Sequence, residues 1–246
     1  MKKVLQKIKK EFLNIFEKAD KRAVYTILWM TLIITLYFYF GIQDFFEKTF
    51  NVPSEKMTYY KYVYHNFMAF FFFFMLSVPF VKFALKQKIT DTGLRVENKA
   101  LTLKLIIASA VIAPICGFVA ALDKQMAATY PLGGEMIFLN FGFFVLYYSS
   151  YIAYYFGWEY LFRGLGLFNI GSRYGAALAI SVTTMVSALI HSSIAGFGKP
   201  FSETFSAIAG GIIFGYMTYK AKNIYPALTA HFMLGFSMDM FIKLLS

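Results

Sequence analysis

The chain has 246 residues, 59% of them hydrophobic and 20% aromatic, with a formal net charge of +11. Several apolar runs reach the roughly 20 residues that a helix needs to cross a hydrocarbon core, and nothing alternates with the period of two of a transmembrane barrel. The composition therefore describes an all-α polytopic membrane protein, with about seven transmembrane helices after an N-terminal amphipathic helix. The positive charge falls mostly at helix ends and in short loops rather than on a soluble module, so it reads as orientation in a bilayer and not as nucleic-acid binding. Cys116 is the only cysteine, which excludes a disulfide framework or a thiolate metal cluster within one chain.

Residues 1–22 carry eight Lys or Arg against three acids, with Leu5, Ile8, Phe12, Ile15 and Ala19 at helical spacing. This predicts a basic amphipathic helix on the cytoplasmic leaflet. Residues 23–246 form the transmembrane domain. The first span is expected over 23–42, an external loop with Pro53 over 44–61, and the Phe-rich second span over 67–85. Tyr59, Tyr60, Tyr62, Tyr64 and His65 precede that span, where amphipathic rings suit the headgroup level. Charge returns at 86–104, expected in the cytoplasm, and a third span follows at 101–121 with Pro114 inside it.

After an external loop at 123–134, residues 135–168 read as one helix. At 1.5 Å per residue it would run roughly 50 Å, well beyond a bilayer, so a break at Gly142 or Gly157 is expected. The fifth span covers 174–192. Residues 196–203 form a Gly- and Pro-punctuated turn or a re-entrant loop, the sixth span covers 204–219 and the seventh 225–245. Ala207, Gly211 and Gly215 share one face of the sixth, suited to close helix packing within the chain or to a homodimer contact. Sixteen Lys and Arg fall in segments assigned inside and six in segments assigned outside, which puts the N-terminus in the cytoplasm.

Against this apolar background, Glu159 and Arg163 stand four residues apart on one helix face, the acid N-terminal to the base. Ionisable groups at membrane depth face a protein interior or a water-filled cavity and are functional candidates by default. Two of the three histidines, His191 and His231, fall on later apolar helices. A buried carboxylate with a neighbouring histidine can take a proton from water, a role open to Glu159 with His191. His231, on a separate helix, could then steady the oxyanion formed when that water attacks a carbonyl. The same residues could instead be ligands of a metal such as zinc with one open position. Spacing does not separate the two chemistries; the reading taken here uses no cofactor. Asp239, about 12 Å along the helix from His231, is expected near the membrane surface.

The segments Trp158-Glu159-Tyr-Leu-Phe162-Arg163-Gly164, His191, Phe197-Gly-Lys-Pro-Phe-Ser-Glu203 and Pro226-Ala-Leu-Thr-Ala-His231 resemble the CPBP family, also called the Abi or CAAX-protease-like family. Thr92-Gly-Leu-Arg95 is similar to the Gly-Leu-Arg stretch that precedes the core of such proteins, so the resemblance covers about 91–246. It implies an intramembrane glutamic peptidase with Glu159, His191 and His231 catalytic and Arg163 supporting. Three positions depart from the family pattern. Trp158 stands where a first glutamate is usual, Ser187 where a Phe precedes the first histidine, and Gly235 where an Asn or Asp follows the last.

The function implied is endopeptidase cleavage of an amide bond in a membrane-associated protein or peptide, in the bilayer of a bacterial cytoplasmic membrane. Two other readings fit the same residues. A client-binding scaffold would keep the fold while tolerating Trp158 and Gly235. A proton-coupled transporter would use intramembrane Glu and His as a relay, although no internal repeat is visible.

Overall fold

The computed structural model describes residues 2, 4–8, 10–11, 19–192 and 199–246, and every regular element among them is helical. Leu5 and Ile8 of the amphipathic stripe are helical and exposed, whereas Phe12 and Ile15 lie outside the described residues. Helix α1 (Lys21–Phe40) begins where the Asp20 carboxylate accepts the Ala23 N–H at 2.9 Å, satisfying one of the orphan donors of a helix start. The expected external loop at 44–61 is instead helix α2 (Gln43–Thr49) followed by the start of α3 (Ser54–Phe70). Helix α3 runs on through π turns at Phe71–Met75 and Phe80–Ala84. These bracket Pro79, whose missing N–H interrupts the regular ladder.

Helix α4 (Lys99–Ala121) starts at an Asn98 cap. The short α5 (Lys124–Thr129) occupies what the sequence suggested was loop. Helix α6 (Phe141–Glu159) is capped by Asn140, continues through a π turn at Tyr160–Gly166, and ends as α7 (Leu167–Tyr174). The stretch expected as one helix over 135–168 is broken at Asn140, two residues before Gly142: Glu135–Phe138 is a separate 3-10 turn and the extended Asn140 caps the start of α6. There is no break at Gly157; the helix runs through it and changes to π geometry after Glu159. Helices α8 (Ala176–His191), α9 (Phe201–Ala221) and α10 (Tyr225–Leu245) complete the described fold. Residues 196–198 of the Gly-Pro turn lie outside the described residues.

Among the described residues, four helices are long and apolar enough to cross a membrane: Lys21–Phe40, Ser54–Ala84, Lys99–Ala121 and Tyr225–Leu245; Ala176–His191 is apolar but shorter. Leu103, Ile107, Val111 and Ile115 are exposed along one side of α4, an apolar stripe suited to lipid contact. Small residues bring the helices together. A Cβ on Gly117 would lie 2.9 Å from the Leu234 carbonyl, so α4 and α10 meet backbone to backbone. One on Gly157 would lie 2.9 Å from the Ala69 carbonyl and the Phe70 Cα, fixing α6 against α3.

Gly211 and Gly215 pack on Thr184 and Ile180 of α8. The small-residue face thus serves contacts within the chain, the first of its two expected uses, and these contacts lend no support to a homodimer. Around this frame the central apolar cluster joins Ile33 and Tyr37 of α1, Phe73 of α3 and Trp158, Leu161 and Phe162 at the α6 π turn.

Candidate active site

The π turn that begins at Tyr160 is held by the segment carrying Thr92, Gly93 and Leu94. Gly93 has φ +86°, a left-handed conformation favouring glycine, and a Cβ on Gly164 would lie 2.7 Å from the Thr92 carbonyl. From the other side, the Ile224 N–H donates to the Gly93 carbonyl at 3.0 Å and the Tyr225 hydroxyl to the Leu94 carbonyl at 3.0 Å. This segment therefore ties the π turn to the start of α10. The tie sets the register in which His231 faces Glu159.

Glu159 is fully buried (0% exposed), and its Oε1 accepts a hydrogen bond from His231 Nδ1 at 2.7 Å. Arg163, also buried, brings Nη1 to 3.5 Å from the same oxygen. Glu159 Oε2 and Arg163 Nε have no hydrogen-bond partner among the described residues. An unpaired carboxylate in such a place would be expensive; the guanidinium and the imidazole offset that cost.

The sequence suggested a Glu159–His191 partnership, but the carboxylate reaches His231 instead. His191 Nδ1 is 2.7 Å from the Ser187 carbonyl. A carbonyl only accepts, so Nδ1 carries the proton and Nε2 is left as the acceptor.

His191 and His231 nevertheless come together, because both line one cavity of about 420 Å³. Glu159 is not part of that lining and meets the cavity through His231. Trp158, which is buried, sets its ring edge-on to His191 at 5.4 Å between centroids. The departure at the first glutamate thus places an apolar wall beside the imidazole.

The cavity also holds a cluster that sequence reasoning missed. Glu203 Oε1 accepts from the Tyr130 hydroxyl at 2.8 Å and lies 3.2 Å from Lys199 Nζ, which also donates to Tyr130. Thr204 Oγ1 donates to the His191 carbonyl at 3.0 Å, docking the start of α9 onto the end of α8. The Lys199–Glu203 spacing of four was a visible signal, but nothing local tied it to Tyr130. No group of three or more His, Cys, Asp and Glu among the described residues is arranged to hold a metal ion.

Two further expectations are corrected. His65, expected among rings facing the headgroups, turns inward instead: it is 4% exposed, bonded to the Tyr37 hydroxyl at 3.0 Å, and part of the cavity wall. Asp239, expected as a charge near the membrane surface, is instead enclosed by protein and fully buried, with Oδ2 accepting from Tyr148 at 3.3 Å. The Ser187 departure leaves the histidine support intact, since it is the backbone carbonyl at 187 that holds His191.

The fold and site define an all-helical integral membrane protein with a buried acid–imidazole pair reached from an internal cavity. Residues 137–237 match the Rce1-like family model, described as type II CAAX prenyl endopeptidase Rce1-like. That stretch contains Glu159, Arg163, His191 and His231, and it shows the CAAX-protease-like resemblance of this chain. The family points to intramembrane endopeptidase activity. No curated protein and no solved structure matches the chain.

Proposed function

We propose that the protein cleaves an amide bond of a membrane-associated protein or peptide with a water activated by Glu159, His231 and His191. The observation that carries this reading is the 2.7 Å bond from His231 Nδ1 to Glu159, on the wall of the cavity that His191 also lines. With Nδ1 donating to the carboxylate, His231 Nε2 is free to accept a proton from water, and Glu159 stabilises the imidazolium that results. His191 Nε2 accepts the water's other hydrogen as a hydrogen bond. The water oxygen then bonds to the scissile carbonyl carbon, the C–N bond breaks, and the proton held on His231 passes to the leaving amine. Arg163, 3.5 Å from Glu159 Oε1, balances the carboxylate's charge and orients it, as a positioning residue.

We place this site in a bilayer crossed by about seven helices, the four apolar spans being joined by 141–174, Ala176–His191 and Phe201–Ala221. Residues 1–22 lie on the cytoplasmic leaflet, residues 23–246 form the transmembrane domain and the Rce1-like core runs from about 91. The bacterial cytoplasmic membrane, with the N-terminus inside, is the setting we assign. Support comes from the exposed apolar stripe of α4 and the excess of basic residues in the segments assigned inside.

Trp158 favours one second reading, a client-binding relative. Its indole stands against His191 where a carboxylate would otherwise complete the site.

Cleavage of membrane-anchored peptide libraries by the purified protein tests both. Wild-type cleavage, lost in Glu159→Gln, His191→Ala and His231→Ala and unchanged by chelator, is the expected result. Cleavage abolished by chelator would replace the water-activation scheme with a metal-dependent one. Activity that survives Glu159→Gln would overturn the scheme. An inert wild type that gains cleavage in Trp158→Glu would establish the client-binding reading.

A further inference from the structure

Gly235 follows His231 by one helical turn, and its backbone faces two tyrosine hydroxyls. A Cβ placed there would lie 2.6 Å from both the Tyr151 and the Tyr155 hydroxyl oxygens, which no side chain could tolerate without displacing them. Both tyrosines stand one turn apart on α6, both are buried, and both line the cavity with His191 and His231. The Tyr155 ring packs on the His231 ring with centroids 4.2 Å apart. The hydroxyl pair is thereby held beside the imidazole.

The direction of the bond between the hydroxyls matters. Tyr155 donates to Tyr151 at 2.7 Å, so the Tyr155 proton is engaged, while the Tyr151 proton has no acceptor among the described residues. A hydroxyl that already accepts a hydrogen bond becomes a stronger donor. The hydrolytic scheme lacks such a donor, because the Nδ1 proton of His231 is held by Glu159. Hydrolysis of an amide passes through a tetrahedral oxyanion, and a fixed donor in a largely water-free site is among the strongest sources of its stabilisation.

We propose that the Tyr151 hydroxyl, polarised by Tyr155, donates a hydrogen bond to the oxyanion formed at the scissile carbonyl, and that Gly235 is the vacancy in α10 that admits the pair. This rests on the peptidase reading above. Tyr151 keeps its proton throughout; it binds the developing charge and releases it when the C–N bond breaks. Tyr155 is a positioning residue.

The test uses the full-length protein and the anchored peptide that wild type cleaves fastest, with kcat, KM and melting temperature measured for each variant. Tyr151→Phe is expected to lower kcat by about 10²–10³-fold, the usual effect of removing one oxyanion donor, with KM and melting temperature little changed. Tyr155→Phe should show a smaller fall in kcat, and Gly235→Ala a fall of the Tyr151→Phe kind because the methyl displaces both hydroxyls. Removing both hydroxyls takes away the two 2.6 Å contacts and leaves a Tyr151 ring carbon 3.1 Å from a Cβ at 235, which a small shift of the ring relieves. Gly235→Asn in the Tyr151→Phe/Tyr155→Phe background should therefore restore kcat by about tenfold or more through a side-chain amide donor.

Wild-type kcat in Tyr151→Phe would overturn the proposal. So would a kcat deficit that Gly235→Asn does not relieve, which would give the tyrosines a packing role. Either result leaves the Glu159 dependence of cleavage in place. Activity that survives Glu159→Gln would instead remove the underlying peptidase scheme.

Discussion

Glu159 and His231 are 72 residues apart in sequence and 2.7 Å apart in the fold, with Arg163 3.5 Å from the same carboxylate oxygen. Removing one member of a buried charged set strands the others. Glu159→Gln should therefore destabilise the protein by about 3–5 kcal/mol as well as abolish cleavage. The double variant Glu159→Gln/Arg163→Met should recover part of that stability and no activity. Equilibrium unfolding in detergent reads the first quantity and peptide cleavage the second; a fully stable Glu159→Gln protein would contradict the assignment of a tightly coupled set.

Gly157 is a contact residue and not a hinge. Its missing side chain lets α6 touch the backbone of Ala69 and Phe70, and backbone cannot swing aside as a side-chain end can. We expect Gly157→Ala to cost about 1–3 kcal/mol through overpacking. Gly210→Ala is the control, since the nearest atom to its Cβ is a Phe214 ring carbon at 3.8 Å. A methyl there replaces glycine within a helix and should stabilise by up to about 1 kcal/mol. Thermal unfolding of the two variants side by side distinguishes contact from hinge.

Asp239 lies buried with one oxygen bonded to Tyr148 and Oδ1 without a partner among the described residues. Tyr148→Phe removes that bond while leaving the carboxyl in place. The expected loss is about 1–3 kcal/mol. Adding Asp239→Leu should return much of it, because replacing both partners by apolar groups leaves nothing unsatisfied. Additive losses in the double variant would show that the two groups are not coupled.

Asp123, in the turn before α5, accepts the Met126 and Gln125 N–H groups, and those bonds hold its carboxyl below the ordinary value. A depressed folded value means that the cap contributes fully above the ordinary carboxylate range. The contribution fades as pH falls through the lower, folded value. Amide exchange at residues 124–129, corrected for the intrinsic pH dependence of exchange, should accelerate in acid for wild type. In Asp123→Asn the protection should not change with pH.

The class of this protein was legible in its sequence, because a bilayer demands long apolar helices and pushes basic residues to their ends. Glu159, Arg163, His191 and His231 were legible as candidates for a related reason: ionisable groups amid apolar runs stand out one residue at a time. Segment boundaries were less so. Residues 44–61 carry enough charge to resemble a loop, yet α2 and the start of α3 satisfy their backbone as helix, and burial of Tyr59, His65 and Asn66 compensates.

Which histidine meets the carboxylate was decided by tertiary structure alone. Glu159, His191 and His231 sit on three helices whose relative rotation depends on backbone contacts at Gly117, Gly157 and Gly164 and on the clamp at Gly93. None of these contacts has a local signature. The same holds for Gly235, a missing side chain in the sequence whose space in the fold is occupied by the hydroxyls of Tyr151 and Tyr155. A sequence specifies which groups must escape lipid. Where they meet is set by how closely the helices can approach, a property of pairs of surfaces that neither strand of sequence carries by itself.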